Sequence, residues 1–247
     1  MIQIINLYKN FNSHPVLKGV NLTIRDGETM VIIGRSGGGK TVLLRHIIGL
    51  VSPEEGQVVV DGQEVSRLTG AELTELRLKF GMLFHGAALF DSLTVGENVA
   101  FPLREHTRMS EEEIQARVKE CLDLVGLHDI EDRKPAELSG GMRKRVGLAR
   151  ALAMQPRVIL YDEPTTGVDP IMADAINNLI KELHDRLRVT GVAVTHDMVS
   201  AFKIADRIAM LHEGKIIAVG APEEIRSLEN PVVRQFILGI SDKEARS

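Results

Sequence analysis

The stretch GRSGGGKTVLLRHIIGL, residues 34 to 50, places a glycine-rich run directly before an apolar helical pattern. The residues before it, Met30 to Ile33, form a short apolar run that is typical of a buried parallel strand. Behind the glycines, Leu43, Leu44 and Ile47 recur at helical spacing. The sequence therefore predicts a strand, a glycine loop and a helix in direct succession.

The spelling G-x-x-x-x-G-K-S/T, from Gly34 to Thr41, binds phosphate when a strand and a helix flank it. Successive backbone N–H groups then point at phosphate oxygens, and the helix N-terminus adds partial positive charge. Lys40 is expected to reach the β- and γ-phosphates and Thr41 to bind Mg²⁺. The alternative is a tight turn with a solvated lysine. The predicted nucleotide contacts are Gly34, Arg35, Ser36, Gly37, Gly38, Gly39, Lys40 and Thr41.

The length and charge of the chain limit its class. Its 247 residues can bury the core of one α/β domain with an insertion, or of two small domains. A net charge of −4 argues against a nucleic-acid partner. No apolar run approaches the ~18 residues of a membrane span, and the first residues lack the core of a signal peptide, so we expect a cytosolic chain.

The single cysteine, Cys121, lies on the apolar stripe of a helix with Ser110 as its expected cap, and is predicted to be buried.

Strand-like and helix-like patterns alternate along most of the chain, which predicts an α/β fold. Strand patterns stop between residues 110 and 154, where helix patterns take over. We therefore expect an α/β core that is interrupted by a helical insertion. Strands are predicted at 2–7, 20–24, 30–33, 57–60, 80–84, 158–162 and 192–195 and in a final hairpin that turns at Glu213-Gly214, with core helices near 172–188 and 222–228.

The segment RVILYDEP, residues 157 to 164, carries two acidic residues to the end of a buried-strand pattern. Ligands of open α/β sheets bind at that edge of the sheet. Asp162 is predicted to hold Mg²⁺, directly or through water, and Glu163 to act as the general base for the attacking water. The alternative is a helix N-cap or a solvated turn.

Two further segments are candidate parts of the site. His196 follows another strand pattern, where it is either a contact for the γ-phosphate or an ordinary surface or core histidine. In LSGGMRKRVGLARAL, residues 138 to 152, Ser139, Gly140 and Gly141 precede a basic helical pattern and suit an anion. One nucleotide does not need two such cradles, so this one is expected to serve the nucleotide of a second copy in a two-fold dimer. An ordinary serine N-cap is the alternative.

Together these segments resemble the motifs of the ATP-binding-cassette (ABC) ATPases, in the family's order and over about residues 2 to 240. The resemblance implies a P-loop NTPase core with an antiparallel β subdomain, a helical subdomain inserted at about 86–154, and a short tail at 241–247. It also implies a homodimer that encloses two ATP and drives a membrane permease. The matching motifs are GRSGGGKT (Walker A), VILYDE (Walker B), the signature at Ser139, Gly140, Gly141 and Met142, the D-loop ending at Asp169, and the switch histidine His196, with Phe11, or otherwise Tyr8, as the aromatic side chain that stacks on adenine.

One position departs from the family pattern. In GMLFHGAALF, residues 81 to 90, His85 stands where the family has a glutamine that senses Mg²⁺ and the attacking water. Imidazole can donate, accept or bind a metal, but it is shorter and titrates near neutrality. His85 is therefore predicted to affect turnover and its pH profile more than nucleotide affinity.

A narrower resemblance is to the ATPase subunit of Mla-type phospholipid transporters. It rests on AALFDSLTV, on NVAFPLREHT at 98 to 107 and on VVRQFILGI at 232 to 240. It implies an MlaE-type permease, an MCE-domain lipid-binding protein and a position on the inner face of the cytoplasmic membrane. PLREHT is either a solvated surface loop or a segment whose Arg104, Glu105 and His106 contact the permease.

Three other functions stay open. The same motor can serve another cargo, such as toluene-like solvents, sterols or a polar solute, because nothing in its sequence contacts cargo. A non-transport ABC protein that acts on DNA or ribosomes is the second alternative, although such proteins typically carry two cassettes or long insertions. A nucleotide-binding regulator without hydrolysis is the third, and Glu163 argues against it.

Overall fold

The computed structural model describes residues 1–240, which form two compact units. The first unit comprises Met1–Leu73 and the chain from Val192 onward, and the second comprises Thr74–Gly191. The predicted tail at 241–247 lies outside the described residues. In chain order the elements are β1 (Ile2–Phe11), β2 (His14–Ile24), β3 (Thr29–Ile33), α1 (Lys40–Ile47), β4 (Glu55–Val60), β5 (Gln63–Glu64), α2 (Gly70–Leu78), β6 (Phe80–Leu83), α3 (Val95–His106), α4 (Glu111–Leu124), α5 (Gly140–Leu152), β7 (Val158–Asp162), α6 (Pro170–Leu187), β8 (Thr190–Thr195), α7 (Met198–Ile204), β9 (Arg207–His212), β10 (Lys215–Gly220), α8 (Pro222–Ser227) and α9 (Pro231–Leu238).

The first unit contains an antiparallel sheet with the strand order β2-β1-β4-β5. β1 and β2 form a hairpin in which Phe11 pairs with His14, and the two residues between them, Asn12 and Ser13, have φ angles of +48° and +65°. Two-residue hairpin turns favour left-handed φ angles because their twist then matches that of the strands. The antiparallel β subdomain implied by the resemblance is confirmed, and its hairpin leaves Phe11 exposed near the tip.

The first unit also contains the parallel strands that position the phosphate loop. All five residues of β3 are buried, and β3 pairs in parallel with β9 from Met30↔Arg207 to Ile33↔Met210. β10 pairs antiparallel to β9, and the strand order in this unit is β10-β9-β3-β8. Buried parallel strands are continuous apolar runs, which is why the sequence predicts β3 correctly. The loop from β3 to α1 consequently starts at the carboxyl end of a buried strand.

The second unit combines a parallel strand pair with helices. β6 pairs with β7 from Phe80↔Val158 to Leu83↔Tyr161, and all five residues of β7 are buried. The helices α3, α4 and α5 pack against one another and lie within the predicted insertion at 86–154.

The predicted cap and the buried cysteine of α4 are both confirmed. Ser110 and Glu113 form a capping box at the start of the helix, and Cys121 is fully buried on its inner face. Burial raises the pKa of the Cys121 thiol to about 11. The thiol is therefore protonated at neutral pH and packs as a small apolar group.

Differences from the sequence expectations concern short helices and boundaries. Residues 102–106 of the PLREHT segment are helical rather than a surface loop, because α3 continues through Pro102 to His106. The sequence patterns do not predict α2, α7 or α9, which have nine, seven and eight residues. Helices of about two turns contain too few repeats for a periodic apolar pattern to be recognised. Within residues 1–240, no helix is both long and apolar enough to cross a membrane.

Candidate active site

The predicted site residues fall in both units, and each unit is described by itself. In the first unit, the phosphate loop leads from β3 to α1. A Cβ atom on Gly34 would come within 2.3 Å of the carbonyl oxygen of Leu211, so only glycine fits this close approach. Gly39 precedes α1 with φ +97°, a conformation that residues with a side chain rarely adopt. The path of the backbone itself therefore requires glycine at these two positions.

Lys40 begins α1 and is 5% exposed. Its ammonium donates to the carbonyl oxygens of Gly34 at 2.9 Å and of Arg35 at 3.2 Å. The side chain folds back over the loop, which excludes the alternative of a solvated lysine. Thr41 is the next residue of α1 and is half-buried. The other loop residues lie on its outer side: Arg35, Ser36 and Gly37 are exposed, and Gly38 is half-buried.

In the second unit, β7 ends at Asp162 and Glu163 follows it directly, with 6% and 9% exposure. Glu163 has φ +50°, a left-handed conformation that costs on the order of 1–3 kcal/mol for a residue with a side chain. Thr166 holds this turn, because its hydroxyl donates to the Glu163 carboxylate at 3.1 Å and its N–H to the Glu163 carbonyl at 3.3 Å. The acidic pair is neither solvated nor a helix N-cap, so both alternatives are excluded.

The signature segment begins α5. Ser139 is the N-cap, and its hydroxyl oxygen accepts from the N–H of Met142 at 3.2 Å. A Cβ on Gly141 would come within 2.4 Å of Met172 Cγ, so Gly141 allows α5 and α6 to pack closely. Ser139 therefore has the capping role that the sequence left as an alternative. Because Ser139 is exposed, this role is compatible with a contact to another molecule.

Asp169, the last residue of the D-loop, begins α6. Its carboxylate accepts from the N–H groups of Ile171 and Met172, both at 3.0 Å, and Pro170 occupies the first helical position. The motif match does not predict this capping role, although an Asp-Pro pair before an apolar helix is a recognisable start signal. Asp169 is exposed, and its assignment to the D-loop stays a prediction.

The loop that follows β6 carries His85, whose side chain is exposed. Arg150 donates to the carbonyl oxygens of Ala87 and Ala88, both at 2.8 Å, and these two alanines have φ angles of +62° and +48°. Asn98 is fully buried and holds the next part of the loop through four hydrogen bonds. Its side-chain oxygen accepts from the N–H of Phe90 at 2.8 Å, and its side-chain nitrogen donates to three carbonyl oxygens of the loop at 2.8 to 3.3 Å. The backbone of the His85 loop is thus held by side chains of α3 and α5.

Lys144 connects two of the candidate segments. Its buried ammonium donates to the carbonyl oxygen of His85 and, at 3.1 Å, to that of Glu163. Burial lowers the pKa of Lys144, and the carboxylates of Asp162 and Glu163 oppose that shift. The basic run at 143–145 does not by itself indicate which of its residues points inward. The helical spacing does indicate that Lys144 points inward, because residue 144 shares one face of α5 with Gly141 and Leu148.

The remaining candidates lie in the first unit. His196 follows β8 and is exposed. Phe11 is 43% exposed, with the ammonium of Lys9 5.5 Å from its ring centroid. The side chain of Tyr8 lies over Gly19 of β2, since a Cβ on Gly19 would come within 2.8 Å of the Tyr8 hydroxyl. Phe11 therefore presents the more accessible ring and stays the predicted contact for adenine.

In the part of the chain that the structure describes, no group of three or more His, Cys, Asp or Glu side chains could hold a metal ion by itself. A Mg²⁺ ion that accompanies a nucleotide does not need such a group, because one or two protein ligands suffice beside phosphates and water. The hydroxyl of Thr41 and the carboxylate of Asp162 are the oxygen ligands that Mg²⁺ prefers. The chemistry of both predicted ligands fits the ion.

A buried strand, a glycine loop with a folded-back lysine and a helix define a P-loop nucleotide-binding fold. A family model described as ABC transporter matches residues 17–166, which is more than half of the chain. The chain belongs to the ABC transporter family of ATPases.

Relatives and a solved structure agree with this assignment. The chain is 43% identical over 238 residues to the "Probable ribonucleotide transport ATP-binding protein mkl" of Mycobacterium tuberculosis, covering 96% of this chain and 66% of that protein. It is 41% identical over 246 residues to the "Intermembrane phospholipid transport system ATP-binding protein MlaF" of Haemophilus influenzae, covering 100% of this chain and 93% of that protein. The ATP-binding cassette MJ0796, solved as a dimer bound to ADP and Pi, matches with a TM-score of 0.83 and 37% identity over 90% of this chain and 99% of that one. The chain thus spans about two thirds of the length of the mycobacterial relative.

Proposed function

We propose that this chain is the ATP-hydrolysing subunit of a membrane transporter that moves phospholipid. It acts as a homodimer with an MlaE-type permease and an MCE-domain lipid-binding protein, on the inner face of the cytoplasmic membrane. The observation that carries the ATPase assignment is Glu163, a buried carboxylate in a strained turn directly after β7, in a chain whose phosphate loop is complete. The 41% sequence identity, over the whole chain, to a phospholipid transport ATP-binding protein supports phospholipid as the cargo.

ATP binding follows from the first unit. The N–H groups of the phosphate loop and the N-terminus of α1 attract phosphate oxygens. Lys40 already lies over the loop and exchanges its carbonyl partners for the β- and γ-phosphates when these enter. Phe11 stacks on adenine, and His196 contacts the γ-phosphate.

Hydrolysis follows from the second unit. The Glu163 carboxylate, oriented by the Thr166 hydroxyl, accepts the proton of the water that attacks the γ-phosphate. Mg²⁺, with Thr41 and Asp162 as proposed ligands, supplies charge stabilisation at the phosphates when bound. His85 orients the water or the ion, in place of the family's glutamine.

A second copy completes the proposed dimer. Ser139, Gly140, Gly141 and Met142 of each chain contact the nucleotide of the other. The exposed helix start at Ser139 supports this assignment because helix N-termini attract anions. A dimeric cassette of 37% identity supports it further.

The second unit offers a surface for the permease. A groove of about 670 Å³ lies between β6, α3 and α5, and the rings of Phe90 and Phe101 meet in it with centroids 4.8 Å apart. Phe84, Phe90 and Phe101 are each about 40% exposed, which is unusual for side chains of this size. Arg77 and His106 add polar groups to the groove, while Arg104 forms an ion pair with Glu111. A short amphipathic helix of a permease fits such a groove.

A second cargo is favoured by one observation. The mycobacterial relative named for ribonucleotide transport is as similar to this chain as the phospholipid relative, with 43% against 41% identity. The residues that contact cargo lie in other subunits of such transporters, so the motor alone does not separate the two cargoes.

The test has two parts. Purified chain with Mg²⁺ and ATP is expected to release phosphate, and the tagged chain, extracted gently from its native membranes, is expected to retain a polytopic permease and an MCE-domain protein by mass spectrometry. A different permease with a solute-binding protein would keep the motor and replace the cargo. Soluble partners without a permease would refute the transport function, and ATP binding without hydrolysis would refute the ATPase.

A further inference from the structure

Lys144 occupies an unusual position for a lysine. It lies in the second turn of α5 and is 6% exposed, although its neighbour Arg143 is exposed. A buried ammonium is costly unless its N–H donors find partners. Lys144 finds them in the carbonyl oxygens of His85 and Glu163, which belong to two different loops of the second unit.

Both loops have backbone conformations that need support. Glu163 has φ +50°, and Ala87 and Ala88, which follow His85 closely, have φ +62° and +48°. Such conformations persist only where surrounding contacts hold them. Arg150 holds the two alanines, and Thr166 holds Glu163 from its own loop. Among these groups, Lys144 is the one that bonds to both loops.

We propose that Lys144 is a positioning residue for ATP hydrolysis, because its ammonium fixes the backbone turn of Glu163 relative to the turn that carries His85. This inference rests on the proposed function, in which Glu163 is the base. A lysine can do this better than a neutral side chain, since one ammonium donates to several carbonyl oxygens and charged donors form the stronger hydrogen bonds.

The second unit contains a matched control. Arg117 of α4 is also largely buried and also donates to two backbone carbonyl oxygens, those of Leu152 at 2.8 Å and Ala153 at 3.1 Å. Its partners end α5 and carry no candidate site residue. Arg117→Met therefore removes a comparable buried cation from the same unit without touching the loops of His85 and Glu163.

The experiment compares the full chain with Lys144→Met, Lys144→Arg and Arg117→Met. The readouts are kcat and KM for ATP, equilibrium ATP affinity, and hydrogen–deuterium exchange of residues 84–90 and 162–166. Lys144→Met is expected to lower kcat by about 10- to 100-fold, the effect of a slightly misplaced catalytic group, and to speed exchange in both loops. ATP affinity should change by less than about threefold, a small free-energy difference. Lys144→Arg keeps the donors and should recover most of kcat, and Arg117→Met should keep the kcat of the parent.

Three outcomes would overturn the inference: an unchanged kcat in Lys144→Met, an equal loss of kcat in Arg117→Met, or unchanged exchange in either loop. If Lys144→Met does not fold, Lys144→Gln replaces it, since its shorter amide cannot span both carbonyl oxygens, and a parental kcat would again overturn the inference. A parent chain that binds ATP without hydrolysing it would refute the proposed function instead. The exchange data would then still decide whether Lys144 holds the two loops.

Discussion

Replacing Glu163 by glutamine tests the proposed chemistry most directly. The amide has the shape of the carboxylate and keeps an oxygen that can accept a hydrogen bond from the Thr166 hydroxyl. In the parent this hydroxyl donates to the Glu163 carboxylate at 3.1 Å. The left-handed backbone at φ +50° is equally strained for Glu and Gln. What the substitution removes is the ability to accept a proton.

The structure allows the two expected magnitudes to be separated. Loss of a positioned general base lowers turnover by ~10²–10⁴, which corresponds to about 2.7–5.5 kcal/mol of activation free energy. The free energy of unfolding should change by less than about 1 kcal/mol, because the packing and the bond to Thr166 are retained. An effect on turnover several times larger than the effect on folding is the signature of lost chemistry.

The assay is steady-state phosphate release at saturating Mg²⁺ and ATP, beside ATP affinity, urea unfolding and the oligomeric state with ATP. Glu163→Gln should bind ATP as the parent does and accumulate as an ATP-bound dimer. Glu112→Gln, at an exposed position in the first turn of α4, is the control and should hydrolyse ATP normally. If Glu163→Gln hydrolyses ATP as fast as the parent, Glu163 is not the base.

Three further predictions concern the signature, the departing histidine and a buried histidine. Ser139→Arg and Ser139→Ala both lose the cap of α5, at a cost of about 0.5–2 kcal/mol, and both lose the hydroxyl that is proposed to contact the nucleotide of the second copy. Only the arginine also blocks the exposed helix start, so Ser139→Arg should abolish hydrolysis and Ser139→Ala should lower it only in part. ATP binding to the monomer should persist in both variants, and its loss would contradict the role of Ser139 in the second copy's site. His85→Gln should leave ATP affinity unchanged and alter turnover and its pH–rate profile, and superimposable profiles would exclude a catalytic role. His46 of α1 is buried, and its Nδ1 lies 2.8 Å from the Val42 carbonyl oxygen. Burial lowers the pKa of His46, the hydrogen bond to Val42 partly offsets this shift, and the charge of Lys9 adds to it. As pH falls, the imidazole of His46 is therefore protonated in the unfolded chain before it is protonated in the folded one. The contribution of His46 to stability is complete above the unfolded pKa of about 6.5 and is lost as pH falls from there to the folded pKa. The free energy of unfolding then changes by up to about 1.4 kcal/mol per pH unit. Urea unfolding between pH 7 and 5 should show a flatter slope for His46→Leu than for the parent, and equal slopes would refute this assignment.

The core of the fold could be predicted from local patterns. β3 and β7 are fully buried, so their sequences are continuous apolar runs that end where the phosphate loop and the acidic pair begin. Ser110 and Glu113 form a capping box at the spacing the sequence shows. Each of these signals lies within a few residues and does not depend on distant parts of the chain.

Other features could not be predicted because their signals were weak or their partners distant in the chain. α7 is shorter than two full turns, and the helix through Pro102 contradicts the preference of proline for loops. The contact of Tyr8 with Gly19 depends on the register between β1 and β2, which local patterns do not fix.

The sequence by itself determined the class of this protein, because the phosphate loop, the acidic pair and the signature are local spellings whose chemistry follows from residue type and spacing. Only the tertiary structure decided that Lys40 folds back over the phosphate loop, that Ser139 and Asp169 cap helices, and that Lys144 joins the loops of His85 and Glu163. Lys144 shows the physical reason. Its partners are 59 and 19 residues away in the chain, and the direction of a long side chain is set by which loops pack over its helix.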